Sequence, residues 1–387
     1  MTKRIYLDWN ATAPLLAEAR SAMLSMLDAP TNASSVHAEG RAARMAVEGA
    51  RRSVAALVGA EAAHVVFTSG ATEAANMVLT PAFRMGRAPL VASRLYVSAI
   101  EHPAVRLGGR FPAGSVSELP VEQSGRLDLA VLEAALSAHP RETGLPLVAV
   151  MLVNNETGIV QPVAEAAAIV HRHGGLLVVD AVQAAGRVPI DMASLDADFL
   201  FLSAHKIGGP KGAGALVSRG EVLMPEPLIR GGGQEKGHRG GTENVAAIAG
   251  FGAAAQVARE RIDERTAAIG ALRDRLERGM AQVAKDVVIY GQDVPRVCNT
   301  TFFSLPGLKA ETGQIAFDLE GVAISAGAAC SSGKVGQSHV LRAMGHEPRV
   351  GGLRISLGAS TTEADIERAL AVFERVAARR KPAGKAA

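Results

Sequence analysis

The chain of 387 residues is poor in cysteine and has no long apolar run. Its two cysteines, Cys298 and Cys330, form no Cys-x-x-Cys pair, so the sequence predicts neither a zinc site nor a disulfide framework. Two thiols in so long a chain are typical of a reducing compartment, and we expect a cytoplasmic protein. No apolar run reaches the ~20 residues that span a membrane, and residues 1–8 lack the apolar stretch of a signal peptide.

Aromatic residues and net charge are also low. Aromatics make up 4% of the chain, so the core must be built mainly from Ala, Val, Leu and Ile. The balance of 41 basic and 38 acidic residues gives a net charge of +3, which is too small to indicate a nucleic-acid partner. The hydrophobic fraction of 48% is ordinary for a globular protein with a large core.

Short apolar runs alternate with helical patterns through the first 255 residues. We predict strands at 64–68, 95–100, 148–153, 176–180 and 199–203, and helices at 41–58, from 70 onward, at 129–138 and at 162–173. Nearly continuous apolar runs are typical of strands covered on both faces. The pattern therefore predicts an α/β fold, in which a mostly parallel sheet is sandwiched by helices.

After about residue 255 the pattern changes to that of a smaller α+β domain. We predict helices at 256–284, 311–320 and 362–379, and strands at 299–304 and 353–357. We assign residues 15–255 to a large domain and 256–387 to a small C-terminal domain that carries a loop around Cys330. Residues 1–14 are assigned to an N-terminal segment of the small domain.

Polar residues follow several predicted strands, and ligands of open α/β sheets bind outside the carboxyl ends of the strands. Residues 68–73 end one strand and begin a helix, whose free N–H groups suit a phosphate. Ala71 and Thr72 are the candidates for that contact. On its own such a segment is more often a simple helix cap.

Asp180 ends a predicted buried strand, where an unpaired carboxylate would be costly. Enzymes that use pyridoxal phosphate need an acid beside the pyridine nitrogen of the cofactor. Gln183 could then donate a hydrogen bond to the ring oxygen. The alternative for Asp180 is a helix cap or a structural ion pair.

The next strand leads directly into Ser203 and Lys206. A lysine at the mouth of a sheet, followed by glycines, can bond to a cofactor aldehyde as a Schiff base. Ser203 and His205 could add phosphate contacts, and Lys211 is the competing lysine. His102 and Asn155 follow two further predicted strands. A single histidine in such a position is more often structural than catalytic.

Cys330 lies among Gly, Ala and Ser, a composition typical of an exposed loop. An exposed thiol is a liability unless its reactivity is used. Here the thiolate could attack a substrate sulfur and carry it away as a persulfide. Arg354, within a strand pattern, could hold a substrate carboxylate through two hydrogen bonds, or form a structural salt bridge instead.

Taken in order, these motifs resemble those of the cysteine desulfurases, a branch of the class V aminotransferases with the type I fold of pyridoxal-phosphate enzymes. The resemblance covers nearly the whole chain. Its motifs lie at residues 6–14, 32–37, 72–76, 101–104, 154–158, 180–183, 203–206, 239–244 and 327–333. Each is weak alone, but the ordered series is very specific. The chain departs from the usual pattern at Trp9, Ala33 and Ala75.

The resemblance implies a role for each matching position. Lys206 would hold pyridoxal 5′-phosphate and move protons, Asp180 would pair with the pyridinium, and Gln183 would contact the ring oxygen. His102 would stack on the ring and act as acid or base. The phosphate would be bound by Ala71, Thr72, Ser203 and His205, and by Thr242 from the neighbouring subunit, which implies a homodimer with shared sites.

The resemblance also implies the substrate and the path of the sulfur. Asn155, already expected to touch the cofactor, would bind L-cysteine together with Arg354 and Asn32, and Cys330 would carry the persulfide. The segment 331–338 resembles the group I enzymes, which donate sulfur to iron–sulfur scaffold proteins and, in some members, for nitrogenase maturation. No resident metal is expected, although Cys330 could transiently ligate a cluster on a partner.

Three other functions remain open from the sequence. A plain class V aminotransferase would share Lys206 and Asp180 but would not need a thiol in a loop. A selenocysteine lyase usually has a shorter segment around the cysteine. A non-catalytic docking scaffold would not need Asp180, His205, Lys206 and Cys330 together.

Overall fold

The structure is a computed structural model that describes residues 4–30, 32–327, 338–346 and 351–380. Its strands are β1 (Ile5–Tyr6), β2 (Val65–Thr68), β3 (Ala82–Met85), β4 (Ala88–Ser98), β5 (Val116–Leu119), β6 (Leu145–Met151), β7 (Leu176–Asp180), β8 (Phe199–Ser203), β9 (Gly214–Ser218), β10 (Leu223–Pro225), β11 (Val288–Ile289), β12 (Thr300–Ser304), β13 (Val322–Ala323), β14 (Ser325–Ala326) and β15 (Leu353–Ser356).

The α-helices of the described residues lie between and after these strands. They are α1 (Ala17–Leu27), α2 (Ala38–Leu57), α3 (Ala71–Val78), α4 (Pro103–Arg106), α5 (Leu129–Ser137), α6 (Val163–Arg172), α7 (Met192–Leu195), α8 (Val245–Glu260), α9 (Ile262–Val283), α10 (Ala310–Leu319), α11 (His339–Ala343) and α12 (Glu363–Arg379).

A nine-stranded sheet forms the centre of the molecule, in the order β10-β3-β4-β6-β7-β8-β9-β2, with β5 beside β4. Its central strands β4, β6, β7 and β8 are parallel, as predicted. Antiparallel strands flank them on both sides. Because β2 is antiparallel to β9, and β9 is antiparallel to β8, β2 again runs in the direction of β8. The carboxyl ends of these five strands therefore meet at one edge.

The helices cover the sheet through small apolar residues. In α2 the buried positions Ala43, Val47, Ala50 and Val54 recur every three or four residues, which places them on one face. A Cβ at Gly252 of α8 would lie 2.6 Å from the Cβ of Ala50, so the glycine permits the close approach of the two helices. This packing explains how a chain with few aromatic residues fills its core.

The predicted long helix 256–284 is wrong, because the chain forms two helices there. α8 ends at Glu260 and α9 begins at Ile262, while Arg261 between them leaves helical geometry with φ −114° and ψ 18°. α8 packs on α1 and α2, whereas α9 packs on α12. The helix is thus interrupted at the point where its packing partners change.

A second apolar cluster joins the two ends of the chain. The four-stranded sheet β11-β12-β15-β14 and the pair β1-β13 contribute to it. Ile5 and Leu7 pack there with Leu276, Phe303 and Phe373. Ile5 and Leu7 therefore pack with C-terminal elements, and the assignment of residues 1–14 and the domain boundaries stay predictions. Across the described ranges, none of the helices has the length and apolar character needed to cross a membrane.

Candidate active site

The main cleft opens at the edge where the parallel strands end. Its volume is about 1460 Å³, with the solvent at its mouth included. The residues that follow β2, β4, β6, β7 and β8 all contribute to its wall. Of the residues predicted from the sequence, the lining includes Ala71, Thr72, His102, Asn155, Asp180, Gln183, Ser203, His205, Lys206 and Arg354. Residues from five strand ends thus meet in one place.

Lys206 lies in the short 3-10 turn that directly follows β8. Its Nζ donates hydrogen bonds to the backbone oxygens of Asn10, at 2.7 Å, and Ala11, at 2.9 Å. The N-terminal segment therefore positions the lysine. The competing lysine, Lys211, lines the same cleft from a more exposed position.

Asp180 and Gln183 lie on the same wall of the cleft. Burial raises the pKa of Asp180 to about 6, against the opposing effects of the Val182 N–H and the positive charge of Lys206. The Val182 N–H donates to Asp180 Oδ1 at 2.9 Å. Gln183 donates from Nε2 to the backbone oxygen of Asn10 at 2.9 Å, so Asn10 joins Gln183 to Lys206. A cation beside Asp180 would favour its charged form.

Two histidines in the cleft are held neutral near pH 7. Burial, followed by the charges of Lys206 and His339, lowers the pKa of His102 to about 4. His102 Nδ1 accepts a hydrogen bond from the Ala104 N–H at 3.1 Å, so the neutral ring carries its proton on Nε2. Burial and Lys206 likewise lower the pKa of His205 to about 4.

The start of α3 provides an anion-binding corner. The first-turn N–H groups of α3, which begins at Ala71, receive no side-chain cap from the residue before the helix. A Cβ at Gly214 of β9 would lie 2.6 Å from the Cα of Gly70, so this glycine lets the sheet approach the helix start closely. Uncapped N–H groups and the helix dipole favour a phosphate here.

Arg354 and Asn155 form the opposite wall. The buried guanidinium of Arg354 donates from Nη1 to the backbone oxygen of Asn155 at 2.7 Å and from Nη2 to Asp8 Oδ1 at 2.8 Å. Its Nε and the Asn155 Oδ1 are buried without a hydrogen-bond partner among the described residues. Unsatisfied buried groups of this kind are costly unless a ligand completes them.

Two buried acids beside the cleft were not predicted from the sequence. Glu101 is fully buried, and its Oε1 accepts from the Met151 N–H at 2.7 Å. Burial and the charge of Asp180 raise the Glu101 pKa well above its usual value. Burial also raises the pKa of Glu156 to about 7, although it accepts a hydrogen bond from Ser338 Oγ at 2.5 Å. Both follow strand ends, which was the only signal in the sequence.

Three predicted residues do not lie in the cleft as described. Asn32 is exposed and is absent from its lining. Thr242 lines an adjacent cavity, which shares Ser69 and Gly212 with the cleft. Cys330, predicted to be the nucleophile, lies outside the described residues.

The residues of the cleft fit pyridoxal phosphate. A lysine, a buried carboxylate and an uncapped helix start are the groups that bind its aldehyde, its ring nitrogen and its phosphate. The unsatisfied Asn155 Oδ1 adds a polar atom that a ligand would complete. Within the described ranges, no group of three or more His, Cys, Asp and Glu residues is placed to hold a metal ion.

Comparisons of the sequence with a family model and with known proteins agree with one another. The family model described as "Aminotransferase class-V" matches residues 5–369. The chain is 43% identical to a cysteine desulfurase of Cereibacter sphaeroides, over 96% of this chain and 95% of the relative. It is 40% identical to a cysteine desulfurase of Sinorhizobium fredii, over 96% of each chain.

A solved structure shows the same fold. The NifS-like protein of Rickettsia africae superposes with a TM-score of 0.86 at 34% sequence identity. The match covers 96% of this chain and 99% of the other. The predicted type I fold of pyridoxal-phosphate enzymes is thereby confirmed.

Proposed function

The chain belongs to the class V aminotransferase family and is a pyridoxal-phosphate-dependent cysteine desulfurase, and we propose that it converts L-cysteine to L-alanine through a persulfide on Cys330. The observation that carries the assignment of residues is the meeting of Lys206, Asp180, His102 and the start of α3 in one cleft. Bound pyridoxal phosphate supplies an electron sink for the substrate carbons. The chain's own residues bind, orient and transfer protons around it.

The roles of Asp180, Lys206 and His102 follow from their charge states. Asp180 is buried, so it would hold the positive ring nitrogen of the cofactor through an interaction that water would weaken. Lys206 would hold the cofactor aldehyde, and its amine would move protons during the reaction. His102, neutral with its proton on Nε2, is suited to donate a hydrogen bond or a proton.

The opposite wall is suited to the substrate. The guanidinium of Arg354 binds the α-carboxylate, since its planar fork matches a carboxylate better than an ammonium does. Asn155 Oδ1, which lacks a partner among the described residues, accepts a hydrogen bond from the ligand. Asn32 is proposed as a substrate contact on the family resemblance alone, since it is exposed and does not line the cleft.

Sulfur leaves the substrate in a balanced exchange. The Cys330 thiolate forms a bond to the substrate sulfur as the bond from Cβ to that sulfur breaks. The electron pair of the broken bond stays with the carbon, which takes up a proton and leaves as L-alanine. Cys330 retains the sulfur as a persulfide, so no external oxidant or reductant is needed until the sulfur is passed on.

Beyond this reaction, we propose that the persulfide sulfur goes to an iron–sulfur scaffold or another sulfur acceptor in the cytoplasm. We also propose a homodimer in which Thr242 contacts the phosphate held by the partner subunit. The position of Thr242, in a cavity next to the cleft and not in it, supports this arrangement. Sedimentation of the holoenzyme at the mass of two chains is the expected result, and a monomeric active enzyme would contradict it.

A single turnover tests the persulfide. The holoenzyme is mixed with L-cysteine without reductant, digested and examined by mass spectrometry. We expect one added sulfur on the peptide that contains Cys330, together with one equivalent of alanine. Alanine without added sulfur, or sulfur only on Cys298, would overturn the role of Cys330. A keto acid formed in place of alanine would indicate an aminotransferase.

A further inference from the structure

A second cavity of about 580 Å³, counting the open solvent within it, shares Lys206 with the catalytic cleft. We call it the Trp9 cavity, and its principal walls are Trp9, Leu16, Arg187, Arg265, Ile269 and Leu357. These residues come from the N-terminal segment, the sheet domain, α9 and the strand end after β15. The cavity therefore lies at the junction of the two apolar cores, and Lys206 is the only residue that it shares with the catalytic cleft.

The charges of the Trp9 cavity are of one sign. Arg187, which is 9% exposed, donates from Nη1 to the backbone oxygen and Oε1 of Gln183, and both acceptors are neutral. None of the residues that line the cavity is an aspartate or a glutamate. Arg265 and Lys206 add two further basic side chains to the lining.

Other buried arginines of this protein have carboxylate partners. Arg51 pairs with Glu235 at 2.7 Å, and Arg296 pairs with Glu277 at 2.5 Å. Within the described part of the chain, no ion pair joins the buried Arg187 or the half-buried Arg265 to a carboxylate. Burial lowers the pKa of Arg187 to about 10 and also lowers that of Arg265, for which Glu18 and Glu264 compensate only in part. An anion in the cavity beside the buried Arg187 would supply the missing charge.

Most of the remaining wall is apolar, and the polar residues Lys206, Thr266, Cys298 and Asn299 also line it. Leu16, Ile207, Ile269 and Leu357 line the cavity around the ring of Trp9. The Trp9 ring packs directly over the backbone of Gly358, where any side chain would collide with it. Such a surface favours a flat apolar group over a fully hydrated inorganic ion.

We propose that the Trp9 cavity is a binding site for a small monocarboxylate with a flat apolar body, held by Arg187 and Arg265 and packed against Trp9. A guanidinium matches a carboxylate through paired hydrogen bonds. The ligand would lie next to the hydrogen bond from Arg187 to Gln183. Gln183 in turn donates to the backbone oxygen of Asn10, which also accepts a hydrogen bond from Lys206. Arg265 lies outside that chain of contacts, so its substitution tests the site without disturbing Lys206.

The sole tryptophan of the protein reports on the site directly, since it is Trp9. The holoenzyme is titrated with sodium benzoate at constant ionic strength, and the tryptophan fluorescence is recorded. Benzyl alcohol serves as the neutral analogue of similar shape. We expect a saturable change with benzoate only, and a dissociation constant raised roughly tenfold or more in Arg265→Gln because a charged hydrogen bond is lost.

Two further variants locate the bound benzoate. Arg259→Gln removes an exposed arginine of α8 outside the cavity lining and should bind benzoate like the wild type. Arg354→Lys alters the catalytic cleft and should also leave the dissociation constant unchanged. The proposal is overturned if no saturable change occurs, if benzyl alcohol acts like benzoate, or if Arg265→Gln binds as tightly as the wild type. A weaker dissociation constant in Arg354→Lys alone would place benzoate in the catalytic cleft and would equally overturn it.

Discussion

Arg354 Nη2 lies 2.8 Å from the Oδ1 of Asp8, although 346 positions of the chain separate the two residues. The pair brings the N-terminal segment and β15 together at the cleft. It also means that the arginine proposed to bind the substrate already has one carboxylate partner. Its Nε is buried without a partner among the described residues, so it can donate a hydrogen bond to a second carboxylate, that of the substrate.

Replacing Arg354 with lysine should raise the KM for L-cysteine. The ammonium keeps the charge that pairs with Asp8 but cannot make two parallel hydrogen bonds to a carboxylate. A charged hydrogen bond is worth about 1.5–3 kcal/mol, so we expect KM to increase roughly tenfold or more. Steady-state kinetics measure this KM. Arg275→Lys, at an exposed arginine paired with Glu363 and Glu367, is the matched control and should be unchanged. An unaltered KM in Arg354→Lys would contradict the carboxylate role.

Lys206→Ala should abolish both activity and the visible absorbance of covalently held pyridoxal phosphate. Lys206 follows β8 directly and is fixed by the oxygens of Asn10 and Ala11, whereas Lys211 lines the cleft from an exposed turn. Lys211→Ala should therefore keep the absorbance band and most of the activity. The reverse pattern, with the band lost only in Lys211→Ala, would exchange the two assignments.

Asp180→Asn should change how the stability of the cofactor-free protein depends on pH. Since burial raises the Asp180 pKa from 3.8 to about 6, the folded state retains a proton between these values that the unfolded chain has released. The contribution of this carboxyl to the free energy of unfolding therefore falls, by up to ~2–3 kcal/mol, as pH rises from about 4 to 6.

Denaturant unfolding across that pH range, with and without the substitution, measures this effect. The wild type should lose stability relative to Asp180→Asn as pH rises. Asp191→Asn is the control, because hydrogen bonds from Ser194 lower the pKa of exposed Asp191. The contribution of Asp191 to the free energy of unfolding should therefore change with pH in the opposite direction. Parallel pH profiles for the wild type and Asp180→Asn would show that Asp180 ionises normally.

His102→Gln should lower kcat by roughly 10²–10³-fold, which is typical for the loss of a positioned acid or base. Because the pKa of His102 is lowered to about 4, the free enzyme holds this ring neutral from pH 6 upward. His102 should therefore cause no break near pH 6.5 in the wild-type pH profile of kcat/KM. Any break in that range should persist in His102→Gln. A break near 6.5 that the substitution removes would mean that the ring is cationic in the working enzyme.

The sequence predicted those parts of the site that lie at the ends of buried strands. Asp180 and Lys206 follow apolar runs that are short and uninterrupted, so their positions at the sheet edge could be inferred. The family resemblance then supplied their roles. The predicted strand 176–180 has the same bounds as β7, a short run of five buried residues that ends in Asp180.

Contacts between distant segments could not be inferred in this way. Asn10 accepts hydrogen bonds from Lys206 and Gln183 through a backbone oxygen, and a backbone oxygen carries no sequence signal. The burial of Glu101 was missed because a glutamate in a loop is usually exposed. The interruption at Arg261 was missed because helical periodicity continues across it, while the packing partners change.

The measurement that tests the central claim most directly is the release of sulfide and alanine from L-cysteine in the presence of a thiol reductant. Wild type, Cys330→Ala and Cys298→Ala are compared, with cofactor absorbance as the check on folding. Cys298 is partly buried, and burial raises its pKa, so its substitution should leave the rate unchanged. We expect Cys330→Ala to keep the absorbance and release no sulfide. Sulfide release by Cys330→Ala at the wild-type rate would contradict the persulfide account.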